Sequence, residues 1–133
     1  MTQRGHVLDM SEAPVTGSQD ALQELRNALR QFAAERAWEQ FHSPKNLAIA
    51  LNVEAAELLE HFQWLSDVES AEIPPATRAK VREELADVLL YLIRLADKLD
   101  VNLANAAAEK IRINATKYPV EKAHGSSKKY TEL

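Results

Sequence analysis

Cysteine is absent from this chain, and glycine is limited to Gly5, Gly17 and Gly125. Without thiols there is no disulfide, no thiolate metal site and no cysteine nucleophile. Three scattered glycines cannot form a Walker loop or a dinucleotide fingerprint. Any handling of phosphate must therefore rely on metal ions, basic side chains or helix termini. Long apolar runs are missing too: the longest stretches without a charge are eight residues, Asn46–Val53 and Val101–Ala108, far below the roughly 20 residues of a membrane span. The opening MTQRGHVLDMSEAP lacks the apolar core of a signal peptide, which reads as cytoplasmic. Nor is there a basic surplus. Sixteen Lys and Arg face 20 Asp and Glu, a formal net charge of -4, which argues against a nucleic-acid polymer as partner.

What is present suits one folded domain. The chain has 133 residues, 46% of them hydrophobic, enough to bury a core. Residues 1–18 are polar and without period, and read as a flexible leader. A helical pattern (Leu22, Leu25, Leu29, Phe32, Ala33) predicts a first helix from Asp20 to about Trp38. Ser43-Pro44 is a helix start signal, and the second helix is expected from Pro44 to about Leu65. A polar loop, Ser66 to Pro74, leads to a third helix over about Ala76–Leu99, and a fourth over about Leu103–Lys117 stops before Pro119. Alternating strand patterns are lacking. The expected class is all-α, a four-helix bundle-type protomer spanning 19–118, with 119–133 as a polar tail.

Two of these helices place acids where apolar residues belong. On the second, Leu47, Ala50, Leu51, Leu58, Phe62 and Leu65 make a stripe, and Glu54 and Glu57 project within it. On the third, Val81, Leu85, Val88, Leu92, Leu95 and Leu99 make the stripe, with Glu84 and Asp87 on its shoulder and Tyr91 one turn on. Burying carboxylates side by side costs several kcal/mol unless something positive compensates. Basic side chains or divalent cations would do so; alternatively the acids sit at a boundary and reach water. For a metal, the donors are hard oxygens with no converging His or Cys, which suits Mg²⁺, with Mn²⁺ as substitute. The Glu-x-x-His motifs of a di-iron bundle are missing. Mg²⁺ on few carboxylates expects substrate phosphates to fill its shell, which points to phosphoryl or nucleotidyl chemistry.

Glu54-Ala-Ala-Glu57 followed by Glu84-Leu-Ala-Asp87 resembles the hallmark of the MazG-like all-α nucleoside triphosphate pyrophosphohydrolases. The segments WEQFH, HFQW, EELADVLLYLIRLA, KIRINATKYP and SSKKYTEL look like its dCTP pyrophosphatase branch, over about residues 20–133. The resemblance implies a Mg²⁺-dependent enzyme that turns dCTP or modified dCTP-like nucleotides into the monophosphate and pyrophosphate, cleaning the nucleotide pool. It implies Glu54, Glu57, Glu84 and Asp87 as metal ligands. It implies a nucleotide pocket using Trp38 to His42, Trp64 and Tyr91, and a homo-oligomer, a tetramer made of two dimers. Members of the branch place a histidine about nine residues before the first tryptophan, where this chain has Leu29 and Arg30. That departure bears on base selectivity and leaves the ligands untouched.

In the expected chemistry Glu54 or Glu57 orients the attacking water as general base. Lys110, Asn114 and Lys117 share one face of the fourth helix and are candidates for holding the triphosphate, against the simpler reading of a solvated charged face. Lys128, Lys129 and Tyr130 are candidates for folding over a phosphate. A different class stays open: a helical interaction module whose acids bind a basic partner and catalyse nothing. Within the enzyme class, dUTP is an alternative substrate.

Overall fold

The structure, a computed structural model, describes residues 18–133. The leader expected over 1–18 lies outside the described residues except for Ser18, where the first helix begins. Among the described residues six helices follow in order: α1 (Ser18–Glu35), α2 (Pro44–Glu60), α3 (Asp67–Ala71), α4 (Pro75–Lys98), α5 (Leu103–Lys117) and α6 (Val120–Ala123). Short 3₁₀ turns occupy Glu39–Phe41 and Tyr130–Glu132. No strand occurs among the described residues, so the all-α reading holds.

The helix boundaries have local causes. Ser43 caps α2: its Oγ accepts from the Asn46 amide at 3.1 Å, and Pro44 occupies the first turn at no cost in hydrogen bonds. Asn46 Nδ2 donates to the Phe41 carbonyl at 3.0 Å and so fastens the preceding turn to α2. α1 ends at Glu35, earlier than its apolar period suggests. Ala37 adopts a left-handed φ of 53°. Its amide donates to Ala34 O at 3.1 Å, while the Trp38 amide donates to Ala33 O at 2.9 Å. This pair of bonds is a Schellman closure, built here without the usual glycine. Asp100 (φ 54°) closes α4 in the same way, with Val101 donating to Ala96 O at 2.9 Å.

Two expected boundaries shift. α2 stops at Glu60, not Leu65, and the residues beyond it form turns. The expected loop from Ser66 contains α3, held by a capping box: Ser66 Oγ accepts from the Glu69 amide, and the Glu69 carboxylate accepts from the Ser66 amide. The tail folds back on the end of α5. Tyr130 stacks edge-on to Tyr118 at 6.0 Å, and the Lys117 ammonium lies 4.9 Å from the Tyr130 ring centre.

α4 is the central element, packed chiefly on α2 and then on α1. α2 runs antiparallel to it, because His42 pairs with Arg94 at one end and His61 approaches Glu84 at the other. Contacts of α5 are chiefly with α1. The buried apolar core is small: Ala33, Leu47, Val81, Ile93 and Ala96. The stripe expected on α4 is only partly internal. Val81 is buried, but Leu85 is 54% exposed, and Leu89, Leu92 and Leu99 are exposed with it. Val81, Glu84, Val88, Tyr91 and Leu95, at alternating three- and four-residue steps, are the positions of this series that are buried or half-buried. No helix among the described residues is long and apolar enough to cross a membrane.

Candidate active site

Glu54 and Glu57 lie one turn apart on α2, and Glu84 and Asp87 one turn apart on α4. Antiparallel packing sets the two pairs opposite each other. Carboxylate oxygens of Glu54, Glu84 and Asp87 lie within 4.8 Å of one another. Glu54 Oε2 and Glu84 Oε2 are buried without any hydrogen-bond partner. Burial first, then the neighbouring Glu57 carboxyl within hydrogen-bonding reach, then the charges of Asp87 and Glu84, push Glu54 up to about 7. The nearest basic group to this cluster among the described ion pairs is His61, whose Nε2 is 3.8 Å from Glu84 Oε1. Two orphaned buried oxygens, from Glu54 and Glu84, with the exposed Asp87 carboxylate beside them, fit a hard divalent cation, which removes both the repulsion and the unmet hydrogen bonding. Glu57 stands outside the converging three and beside Glu54.

Next to the acids lies a cavity of about 380 Å³. Leu25, Ala28, Leu29, Phe32 and Leu90 give it apolar walls, and Trp38, His42, Asp87, Tyr91 and Arg94 add polar groups. Asp87 thus belongs to both the cluster and the cavity wall. The Schellman closure of α1 sets Trp38, 43% exposed, at the cavity wall: its ring meets Phe32 edge-on at 5.7 Å and His42 at 6.2 Å. Three of the aromatic and histidine residues expected in the pocket, Trp38, His42 and Tyr91, therefore meet in one place. Trp64 does not: it is 87% exposed and outside the cavity lining. Lys110 and Asn114 lie on the outer surface of α5, also outside that lining.

Arg94 is the residue that sequence reasoning missed. It is 4% exposed, and it is the one buried charged residue among the described residues. Its Nε donates to His42 Nδ1 at 3.1 Å, and its guanidinium also pairs with Glu39 and lies 3.6 Å from Asp97. Lys98 reaches the same Glu39, and Arg30 Nε donates to Asp97 at 2.7 Å. Hydrogen bonds from Lys98 and Arg94 hold Glu39 down at about 2. Asp97 is lowered chiefly by its bond to Arg30. For His42, burial and then the Arg94 charge lower the ring below its ordinary value. The signal was in the sequence: Arg94 is a lone charge inside the run VLLYLIRLA, where a cation must either snorkel outward or find buried partners.

Known proteins are similar to this chain in sequence and in fold. Mouse dCTP pyrophosphatase 1 is 48% identical over 114 residues, covering 84% of this chain and 67% of the relative. The human protein of that name is likewise 48% identical over 114 residues, with the same coverage. A crystal structure of a pyrophosphatase from Archaeoglobus fulgidus superposes with a TM-score of 0.71 at 40% identity, covering 80% of this chain and 99% of that one. The model of the MazG-like family matches residues 49–133. That stretch holds all four acids of the facing pairs, and the chain belongs to the MazG-like family.

Proposed function

We propose that the protein is a Mg²⁺-dependent nucleoside triphosphate pyrophosphohydrolase that converts dCTP or modified dCTP-like nucleotides to the monophosphate and pyrophosphate, clearing the cytoplasmic nucleotide pool. One observation carries this reading: Asp87 lines the cavity and joins the acidic cluster, so a nucleotide seated among Trp38, His42 and Tyr91 would have its phosphates at the acids. The cavity volume falls in the range of about 300–1,000 Å³ typical of small-molecule sites. The likeness to dCTP pyrophosphatases supports cytosine as the base, and the hard-oxygen donor set supports Mg²⁺, with Mn²⁺ as substitute.

Glu54, Glu84 and Asp87 would hold the cation, with Glu57 beside them. When bound, such a cation supplies neutralisation of phosphate charge and a water acidic enough to react near neutral pH. The chain's own part is positioning. Trp38 offers a face for stacking, worth about 1–3 kcal/mol per base, while Leu25, Leu29 and Leu90 keep water from the ring. Glu57, outside the converging three, is free to orient a water towards the α-phosphorus and take its proton. Pyrophosphate then departs and the nucleoside monophosphate remains.

We further propose a homotetramer built as a dimer of dimers. Its support is the unpaired apolar surface. Leu85, Leu89, Leu92 and Leu99 form an exposed row on α4, Ile49 and Val53 another on α2, and Ile111 is 70% exposed on α5. A neighbouring subunit covering these rows would complete the four-helix packing that α5 leaves open. Trp64, Lys110 and Asn114, exposed and outside the cavity in the single chain, would have a part in nucleotide binding only through such a neighbour.

The deciding experiment incubates the purified protein with Mg²⁺ and dCTP, dUTP or dTTP, and separates pyrophosphate from orthophosphate. Pyrophosphate with dCMP is expected. Orthophosphate as first product would exclude attack at the α-phosphorus, and a preference for dUTP would move the substrate to the neighbouring pyrimidine.

A further inference from the structure

The polar groups of the cavity are not equivalent, because one is held in a fixed state by another. A guanidinium has only donors. The bond from Arg94 Nε at 3.1 Å therefore requires a lone pair on His42 Nδ1, and the neutral ring carries its proton on Nε2. Among the described residues nothing hydrogen-bonds Nε2, and it is not one of the buried unpaired atoms, so it is open to an occupant. Arg94 is itself fixed. It is 4% exposed, with Glu39 and Asp97 on its other nitrogens. Charges facing His42 come from the turn before α2 (Glu39) and from α4 (Arg94 and Lys98), and Glu39 is shared between the two cations.

We propose that Arg94 is a positioning residue for base choice: it locks His42 in the Nε2–H tautomer, so that the cavity presents an N–H donor and favours a base whose ring nitrogen is an acceptor, as in cytosine, over one that carries a proton there, as in uracil. This rests on the reading of the cavity as the seat of the nucleotide base. With the opposite tautomer the same ring would present a lone pair and reverse the preference. The apolar walls sharpen the distinction, since they offer a donor facing a donor no acceptor in its place.

Two measurements on the full chain test it, and the first needs no turnover. Long-range ¹H–¹⁵N spectra of ¹⁵N-histidine-labelled protein at neutral pH should show His42 as the Nε2–H tautomer, its signals assigned by their loss in His42→Phe. In Arg94→Met, which leaves Glu39 with Lys98 and Asp97 with Arg30, the ring should become a mixture of tautomers. An Nδ1–H tautomer in the unaltered protein overturns the proposal. The second measurement titrates dCMP and dUMP into the same samples. The unaltered protein should prefer dCMP, and Arg94→Met should shrink that preference about tenfold. If both nucleotides weaken equally, Arg94 is only structural and the proposal fails. If Arg94→Met does not fold, His42→Phe decides: a dCMP preference that survives there overturns the proposal. Selective dCMP binding without pyrophosphate release from dCTP would sink the proposed enzyme activity and leave the role of Arg94 standing; absence of binding by either nucleotide sinks the role of Arg94.

Discussion

Glu54 of α2 and Glu84 of α4 each bury one carboxylate oxygen without a hydrogen-bond partner, and they do so on opposite sides of one helix interface. Folding that places two such orphans together accepts a cost of several kcal/mol. A bound divalent cation recovers that cost. Adding Mg²⁺ to chelator-treated protein should therefore raise the melting temperature, by several degrees at saturating metal. Chelation should abolish pyrophosphate release. Glu84→Gln, isosteric and uncharged, should lower release by roughly a hundredfold or more while leaving the metal-free melting temperature equal or higher, because it removes one of the repelling charges.

The raised Glu54 group gives a pH dependence with a definite sign. Its folded value of about 7 lies above the ordinary 4.5. Between those values the metal-free folded chain holds a proton that the unfolded chain has released, so stability falls as pH rises through that window. Thermal melts in chelator at pH 5, 6 and 7 should show the decline. Glu54→Gln should flatten it, and so should saturating Mg²⁺.

Glu39 behaves in the opposite way. Bonds from Lys98 and Arg94 hold it at about 2 against an ordinary 4.5. Its contribution is complete above about 4.5 and fades as pH falls towards 2. Glu39→Gln should leave the protein less stable at pH 6 and bring the two proteins together near pH 2, as followed by helical circular dichroism.

Ala37 holds a left-handed backbone at a helix end where glycine is the usual occupant. Ala37→Gly should raise stability by about 1 kcal/mol, the strain of the side chain less the added freedom of the unfolded chain. Urea unfolding monitored at 222 nm checks it. The bond pattern that aims Trp38 is unchanged, so nucleotide affinity should stay the same.

Trp38 and Trp64 separate cleanly. Trp38→Leu should raise KM for dCTP by about tenfold through lost stacking, with quenching of tryptophan fluorescence on binding lost too. Trp64 makes no contact with the cavity within the chain. If it acts across subunits, Trp64→Ala will raise KM while the isolated chain's helicity is unaltered, and sedimentation should report a species several times 14.9 kDa.

The acidic centre was legible because two pairs with one spacing interrupted two apolar stripes; period alone left open whether the acids converge or reach water, and three of the four converge. The four long helices followed from period and proline placement. What escaped had specific reasons. The end of α1 was hidden because its left-handed residue is Ala37, so no glycine marked the stop. α3 was hidden inside a polar stretch, although Ser66-Asp-Val-Glu69 carries a capping-box spacing. Arg94 was passed over because an apolar stripe does not show which charged neighbour turns inward. The outward turn of Leu85 and Leu92 reflects a limit of period counting, which finds apolar faces without saying what covers them.

Along α4, Glu84, Asp87, Tyr91, Arg94 and Asp97 serve in turn the acids, the cavity wall, the histidine and the clamp to α1. A single inserted or deleted residue between Asp87 and Arg94 would rotate one half of this series by about 100° against the other. Natural variants of this protein should therefore differ in this segment by replacement and never by length, with gaps confined to the connections outside it.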